Sequence, residues 1–146
     1  MGGWMSLKMC QAMPERIAGL ITIAAAPDFT EDGFWADFDV AQRLELMEKG
    51  VVYVPSDYGD PYPITKRLIE EGRGNLVMRS PLKFDFPVRL LQGTEDTAVS
   101  RETALRLLDH IESDDLQLSF VKGGDHSLST PDHLQVIRAT IESVLE

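Results

Sequence analysis

Residues 17–26 (IAGLITIAAA) form a continuous apolar run with no alternation of polar positions. A strand that faces water on one side alternates with a period of two. An unbroken run therefore belongs to a strand covered on both faces, as in a parallel sheet with helices on either side. A second run of this kind, FPVRLLQG (86–93), ends in a glycine turn. Ser100 then caps a helix whose apolar positions Ala104, Leu107, Leu108 and Ile111 follow helical spacing. LQLSFV (116–121) alternates, with Leu116, Leu118 and Phe120 on one face, which puts it at or near the sheet edge. Thr130 caps a last helix with Pro131 in its first turn and Leu134, Ile137, Ile141 and Val144 as its buried stripe.

The first helix covers residues 3–13 (GWMSLKMCQAM) and is apolar on almost every side, so burial on most faces is expected. Pro14 ends it. Chain termini are usually exposed and frayed, so a preceding segment is expected as well. Residues 27–60 change character. PDFTEDGFWADFD is rich in acids, aromatics and turn formers, and a helix carrying Val40, Ala41, Leu44 and Met47 stops at Gly50. The loop VVYVPSDYGDPYP leads into a charged helix near 63–73. The order of helix, strand, excursion, strand, helix, strand, helix predicts an α/β fold with a parallel sheet flanked by helices and a helical lid or excursion between strands.

With 146 residues, 43% of them hydrophobic, the chain suffices for one domain and one core. Its formal net charge of −10 disfavours phosphate backbones and anionic lipids, so neither nucleic acid nor membrane is expected as a partner. Cys10 is the only cysteine, which excludes an internal disulfide and a cysteine-based zinc site. The histidines His110, His126 and His133 lack metal-ligand spacing, and no metal or organic cofactor is expected. No apolar run approaches the roughly 20 residues of a membrane span. No secretory signal is visible either, and a cytoplasmic location is the expectation.

In open parallel sheets, functional groups gather just beyond the carboxyl ends of the strands. Two such ends carry chemistry here: Gly93-Thr94-Glu95-Asp96-Thr97-Ala98-Val99 and Gly123-Gly124-Asp125-His126-Ser127. Asp96 and His126, in adjacent loops on one edge, can come within hydrogen-bond reach, the Asp fixing the imidazole tautomer and stabilising the imidazolium. Alternatives stay open. Asp96 can be a turn aspartate bonding its own backbone, and His126 an exposed loop histidine. Asp125 is a turn-orienting group or a rival acid. Cys10 is a remote substitute nucleophile, inside a helix. Phe29, Phe34, Trp35, Phe38, Tyr53, Tyr58 and Tyr62 can line an acyl pocket or pack the excursion, and the acids of 28–39 read as a solvated face.

The two loops, in this order with a helix between them, resemble the acid and histidine turns of α/β-hydrolases, whose chain order is Ser, Asp or Glu, His. Met1-Gly2-Gly3 before a buried helix resembles the end of a G-x-S-x-G-G nucleophile elbow. KGVVYVPSDYG (49–59), SPLKFDFPVRLLQGTEDTAV (80–99) and the GGDH turn are similar to small bacterial and mitochondrial serine hydrolases related to a palmitoyl-protein thioesterase that also cleaves acyl glucuronides. The resemblance implies the C-terminal part of the fold as one partial domain over 1–146. It comprises a post-nucleophile helix and strand (1–26), a lid or excursion (27–80), and the acid and histidine strands and helices (81–146). It implies Asp96 and His126 as catalytic residues and the backbone N–H of Met1 as an oxyanion-hole donor. The serine would be the residue immediately before Met1.

The expected activity is hydrolysis of hydrophobic acyl esters or thioesters. The fragment itself would lack the nucleophile and so be inactive alone. The alternative is a non-catalytic, truncated hydrolase-like binding or interaction module, self-associating through an exposed sheet edge.

Overall fold

A computed structural model describes every residue except Asp57, Tyr58 and Glu146. In chain order the elements are α1 (Gly2–Ala12), β1 (Leu20–Ile23), a π-helical segment (Phe29–Trp35), α2 (Val40–Lys49), β2 (Val51–Val54), β3 (Tyr62–Thr65), α3 (Lys66–Arg73), β4 (Leu82–Lys83), β5 (Val88–Gly93), α4 (Arg101–His110), β6 (Ile111–Glu112), β7 (Leu116–Val121) and α5 (Pro131–Leu145). Residues 1–27 with 77–146 form one compact unit and residues 28–76 another.

The first unit is built on a three-stranded sheet in the order β1-β5-β7, parallel throughout. Its register sets Leu20 opposite Val88 and Val88 opposite Leu116, so the carboxyl ends of all three strands share one edge. β5 is the middle strand, and all six of its residues are buried. This is the full coverage that an unbroken apolar run requires. β7 alternates between half-buried and exposed positions from Leu116 to Ser119, but Phe120, expected on the face of Leu116 and Leu118, is exposed and Val121 is half-buried. A two-residue parallel ladder joins β4 to β6 beside it in sequence, with Leu82 opposite Ile111.

Three expectations for this unit need correction. β1 is four residues long and not covered on both faces: Leu20 and Thr22 are buried, Ile21 is half-buried, and Ile23 keeps 37% of its surface exposed. It is an edge strand, and its apolar composition exceeds its coverage. α1 buries one face only, Trp4, Leu7 and Cys10, while Met1, Met5 and Met9 are exposed. α5 buries no residue fully, and of its expected stripe Ile137 and Val144 are half-buried whereas Leu134 and Ile141 are exposed. The caps are where the sequence puts them: the Ser100 hydroxyl accepts from Thr103 N–H at 3.2 Å, and Thr130 Oγ1 accepts from His133 N–H at 3.3 Å.

The 28–76 unit has its own core of Phe38, Leu46, Val52, Ile64 and Ile69, with Phe34, Trp35, Val54 and Leu68 packed against it. α2 begins with a capping box, in which Asp39 accepts from Gln42 N–H and the Gln42 side chain accepts from Asp39 N–H. Leu46 faces the core, whereas the apolar Val40, Leu44 and Met47 of the same helix are exposed. The stretch read as a loop is in part an antiparallel hairpin, β2 with β3, in which Val52 opposes Ile64. The acids of 28–39 are not one solvated face. Asp28 is fully buried, and Glu31 binds Arg73 at 2.7 Å. The guanidinium groups of Arg43 and Arg73 lie over the Trp35 ring at 5.1 and 4.7 Å from its centre.

Candidate functional site

The loops that leave β5 and β7 are fastened to each other backbone to backbone. Thr94 N–H donates to Val121 O at 3.0 Å and Glu95 N–H to Gly124 O at 2.9 Å, while the Thr94 hydroxyl accepts from Gly123 N–H at 2.8 Å. This closeness needs Gly93, because a Cβ there would run into the carbonyl oxygens of Gly124 and Asp125. The loops therefore meet at a fixed spacing.

Across that junction His126 Nδ1 lies 3.0 Å from Asp96 Oδ2. The Asp96 side chain has no solvent exposure, whereas that of His126 keeps 43%. Asp96 Oδ1 accepts from Ala98 N–H at 2.8 Å and Val99 N–H at 2.9 Å, and Oδ2 also accepts from Gln92 Nε2 at 2.9 Å. A carboxylate with four lone-pair sites thus has four donors. Burial alone would favour the neutral acid. The Val99 N–H, the His126 ring, the Ala98 N–H and the charge on His126 outweigh it, and the Asp96 pKa falls below the ordinary aspartate value. An ionised Asp96 only accepts, so the His126 proton at this contact sits on Nδ1 and leaves Nε2 as the basic nitrogen. Among the described residues, none is hydrogen-bonded to Nε2.

Asp125 does not contact the imidazole as a rival acid. Its Oδ1 accepts from Ser127 N–H at 3.1 Å and Leu128 N–H at 2.9 Å, and Oδ2 from the Ser127 hydroxyl at 3.2 Å. It shapes the histidine turn, in which Leu128 is fully buried at a φ of +47°. Both aspartates do serve as turn aspartates, but Asp96 has the further contacts to His126 and Gln92. Cys10 is buried within α1, and burial pushes its thiol pKa up, the reverse of nucleophile activation.

Met1 caps α1, is exposed, and its carbonyl accepts from Met5 N–H at 3.1 Å. A Cβ on Gly3 would strike Ala25, just past the end of β1, so the start of α1 lies on the same sheet edge as the two loops. No hydrogen bond joins Met1 to Asp96 or His126 among the described residues. Of the aromatics, Phe34, Trp35 and Phe38 pack the 28–76 core, Phe29 meets Phe34 edge to face at 5.7 Å, and Tyr53 and Tyr62 are exposed. Tyr58 lies outside the described residues. Sequence reasoning passed over Gln92 and Thr94. The signal for Gln92 was a lone amide inside an otherwise buried strand. Among the described residues, no group of three or more metal-ligating side chains is placed to hold an ion, and no helix is long and apolar enough to cross a membrane.

No family model matches the chain. It is 30% identical over 148 residues to mouse palmitoyl-protein thioesterase ABHD10, mitochondrial, covering 100% of this chain and 50% of that protein. The structure of mouse α/β hydrolase domain-containing protein 10 is 29% identical, with a TM-score of 0.88 over 98% of this chain and 58% of that one. A crystal structure of a protein from Agrobacterium vitis S4, assigned as a hydrolase, is 37% identical with a TM-score of 0.92, covering 100% of this chain and 59% of that chain. These likenesses support an α/β-hydrolase family assignment. The chain spans about half the length of the curated relatives it matches. The parallel sheet with flanking helices is thus a hydrolase architecture, and the ancestry is hydrolase- and thioesterase-like.

Proposed function

We propose that Asp96 and His126 are the acid and the general base of an acyl-transfer site that hydrolyses hydrophobic carboxylic esters or thioesters, with a nucleophile outside residues 1–146. The observation that carries this reading is the 3.0 Å contact of His126 Nδ1 with a buried, fully hydrogen-bonded carboxylate. The relatives named for palmitoyl-protein thioesterase activity support the substrate class.

In the proposed reaction a serine hydroxyl attacks the acyl carbonyl carbon while His126 Nε2 takes its proton. The tetrahedral intermediate expels the alkoxide or thiolate, which receives that proton from His126, leaving an acyl-enzyme. Water then repeats the attack, His126 accepts its proton, and the serine leaves with it as the acid is released. Asp96 stays ionised throughout and stabilises the imidazolium. The backbone nitrogen of Met1 keeps its role here as a donor to the oxyanion, and no cofactor enters the chemistry.

Residues 1–146 alone are expected to give no ester turnover above background. The test is to read the coding sequence upstream of Met1 in frame, express the longer chain, and follow p-nitrophenyl ester hydrolysis with His126→Ala and Asp96→Asn. Unchanged rates in either variant remove that residue from the proposed site.

A second reading rests on β1, which pairs with β5 on one side and, among the described residues, with nothing on the other. With Ile23 exposed at its end, this edge suits the addition of a strand from a second copy. A monodisperse monomer by light scattering at high concentration would sink it.

A further inference from the structure

β5 carries one polar side chain that its fold does not require. Arg89 is buried but spends its guanidinium on Asp115, at 2.7 and 3.1 Å to the two carboxylate oxygens. Gln92, at 0% exposure, makes no such structural pair with a neighbouring strand. Its Nε2 donates to Asp96 Oδ2 at 2.9 Å and Val99 O at 3.1 Å, with a weak third contact to Gly93 O at 3.4 Å. Its Oε1 is buried and has no hydrogen-bond partner among the described residues. The orientation is forced, because a flipped amide would set its oxygen against three acceptors.

A stranded buried acceptor costs about 1–3 kcal/mol. Leucine or methionine would fill a similar volume in this apolar strand without that cost. What either would lose is the donor to Val99 O and, at the shorter distance, to Asp96 Oδ2. That oxygen is the one His126 uses, whereas Oδ1 is held by the backbone of Ala98 and Val99. The other charged groups nearby are occupied elsewhere: Arg101 donates to Thr94 O, and Asp125 accepts from Ser127 and Leu128. Among the described residues, Gln92 is the one side chain besides His126 that is hydrogen-bonded to Oδ2.

We infer that Gln92 is a positioning residue for the Asp96–His126 pair, occupying one lone pair of Oδ2 so that the other faces Nδ1. This rests on the reading of Asp96 and His126 as an acid–base pair. The neutral donor fixes the carboxylate plane and also shares its charge. It lowers the tendency of Asp96 to take the imidazole proton, so the proton stays on His126 as the imidazolium forms.

The experiment is an NMR titration of the 146-residue chain with labelled glutamine side chains and histidine rings. In the unmodified chain the Gln92 side-chain amide signals should move with the His126 midpoint, and their protons should exchange slowly with water. In Gln92→Met the His126 midpoint should rise by about 0.5 pH unit, because Asp96 has lost a competing donor. A folded Gln92→Met with an unchanged His126 midpoint overturns the inference and leaves Gln92 a packing residue. If that variant does not fold, Gln92 amide signals in the unmodified chain that stay fixed through the His126 titration overturn it equally. Asp96→Asn separates the two ideas: it should lower the His126 midpoint, and no change there defeats the pair itself rather than the role of Gln92.

Discussion

Asp96 and Asp125 begin their loops with the same local wiring. Each follows a strand of the parallel sheet, and each accepts at Oδ1 from the backbone N–H groups two and three residues ahead, Ala98 and Val99 in one case, Ser127 and Leu128 in the other. They differ at the second oxygen. In Asp125, Oδ2 closes on the hydroxyl of Ser127, and the residue stays exposed. In Asp96, Oδ2 reaches a buried amide from the middle strand and an imidazole from the neighbouring loop. A turn motif is thus made locally, and what turns one copy into a candidate site is what comes from elsewhere in the chain.

The sharpest way to break this comparison is turnover in the longer chain. Asp96→Asn should lower kcat by about 10⁴, whereas Asp125→Asn, which keeps the shape of the turn, should change it less than about tenfold. Equal losses would show that both loops act only as scaffolding. The next contrast is in stability. Asp96→Ala strands the donors of Gln92, Ala98 and Val99 and should cost about 3 kcal/mol in urea unfolding, and Asp125→Ala should shift the midpoint less.

Acid should discriminate them further. The folded-state pKa of Asp96 is below its unfolded value of about 3.9, so its stabilisation is complete above that value. It is lost as pH falls through the lower, folded value. Urea midpoints measured between pH 2 and 6 should therefore converge for the unmodified chain and Asp96→Asn at the acid end. A constant gap would mean that Asp96 titrates as it does in the unfolded chain. The smallest expected effect is that of Thr94→Val, which removes the acceptor for Gly123 N–H. It should cost about 1 kcal/mol, with faster amide exchange at Gly123 as its signature.

The meeting of Asp96 and His126 was legible because strand ends in a parallel sheet share an edge and each residue follows a recognisable strand. The caps at Ser100 and Thr130 were legible because capping is local chemistry. Coverage was not. Periodicity tells which residues of α1, α2 and α5 share a face, but the neighbour that covers a face is not local information. So Met5, Met9, Leu44 and Ile141 are exposed despite their apolar patterning. β1 reads as buried for the same reason. The β2–β3 hairpin was hidden by Pro55, Pro61 and Pro63, which read as loop, although Pro63 sits within β3 opposite Tyr53. Gln92 looked like a single polar interruption, because its partner Asp96 lies beyond the strand end.

The register of the sheet bears on the order in which the molecule assembles. Val88 pairs with Leu116 across a loop of about 30 residues, but with Leu20 across about 70, because residues 28–76 intervene. Loop-closure entropy grows only with the logarithm of length, so the longer span costs less than about 1 kcal/mol more. The penalty is small at equilibrium, but contacts distant in sequence form late. β5, α4 and β7 should therefore collapse first, bringing Asp96 to His126, with β1 docking last and being the first strand to open in native-state hydrogen exchange.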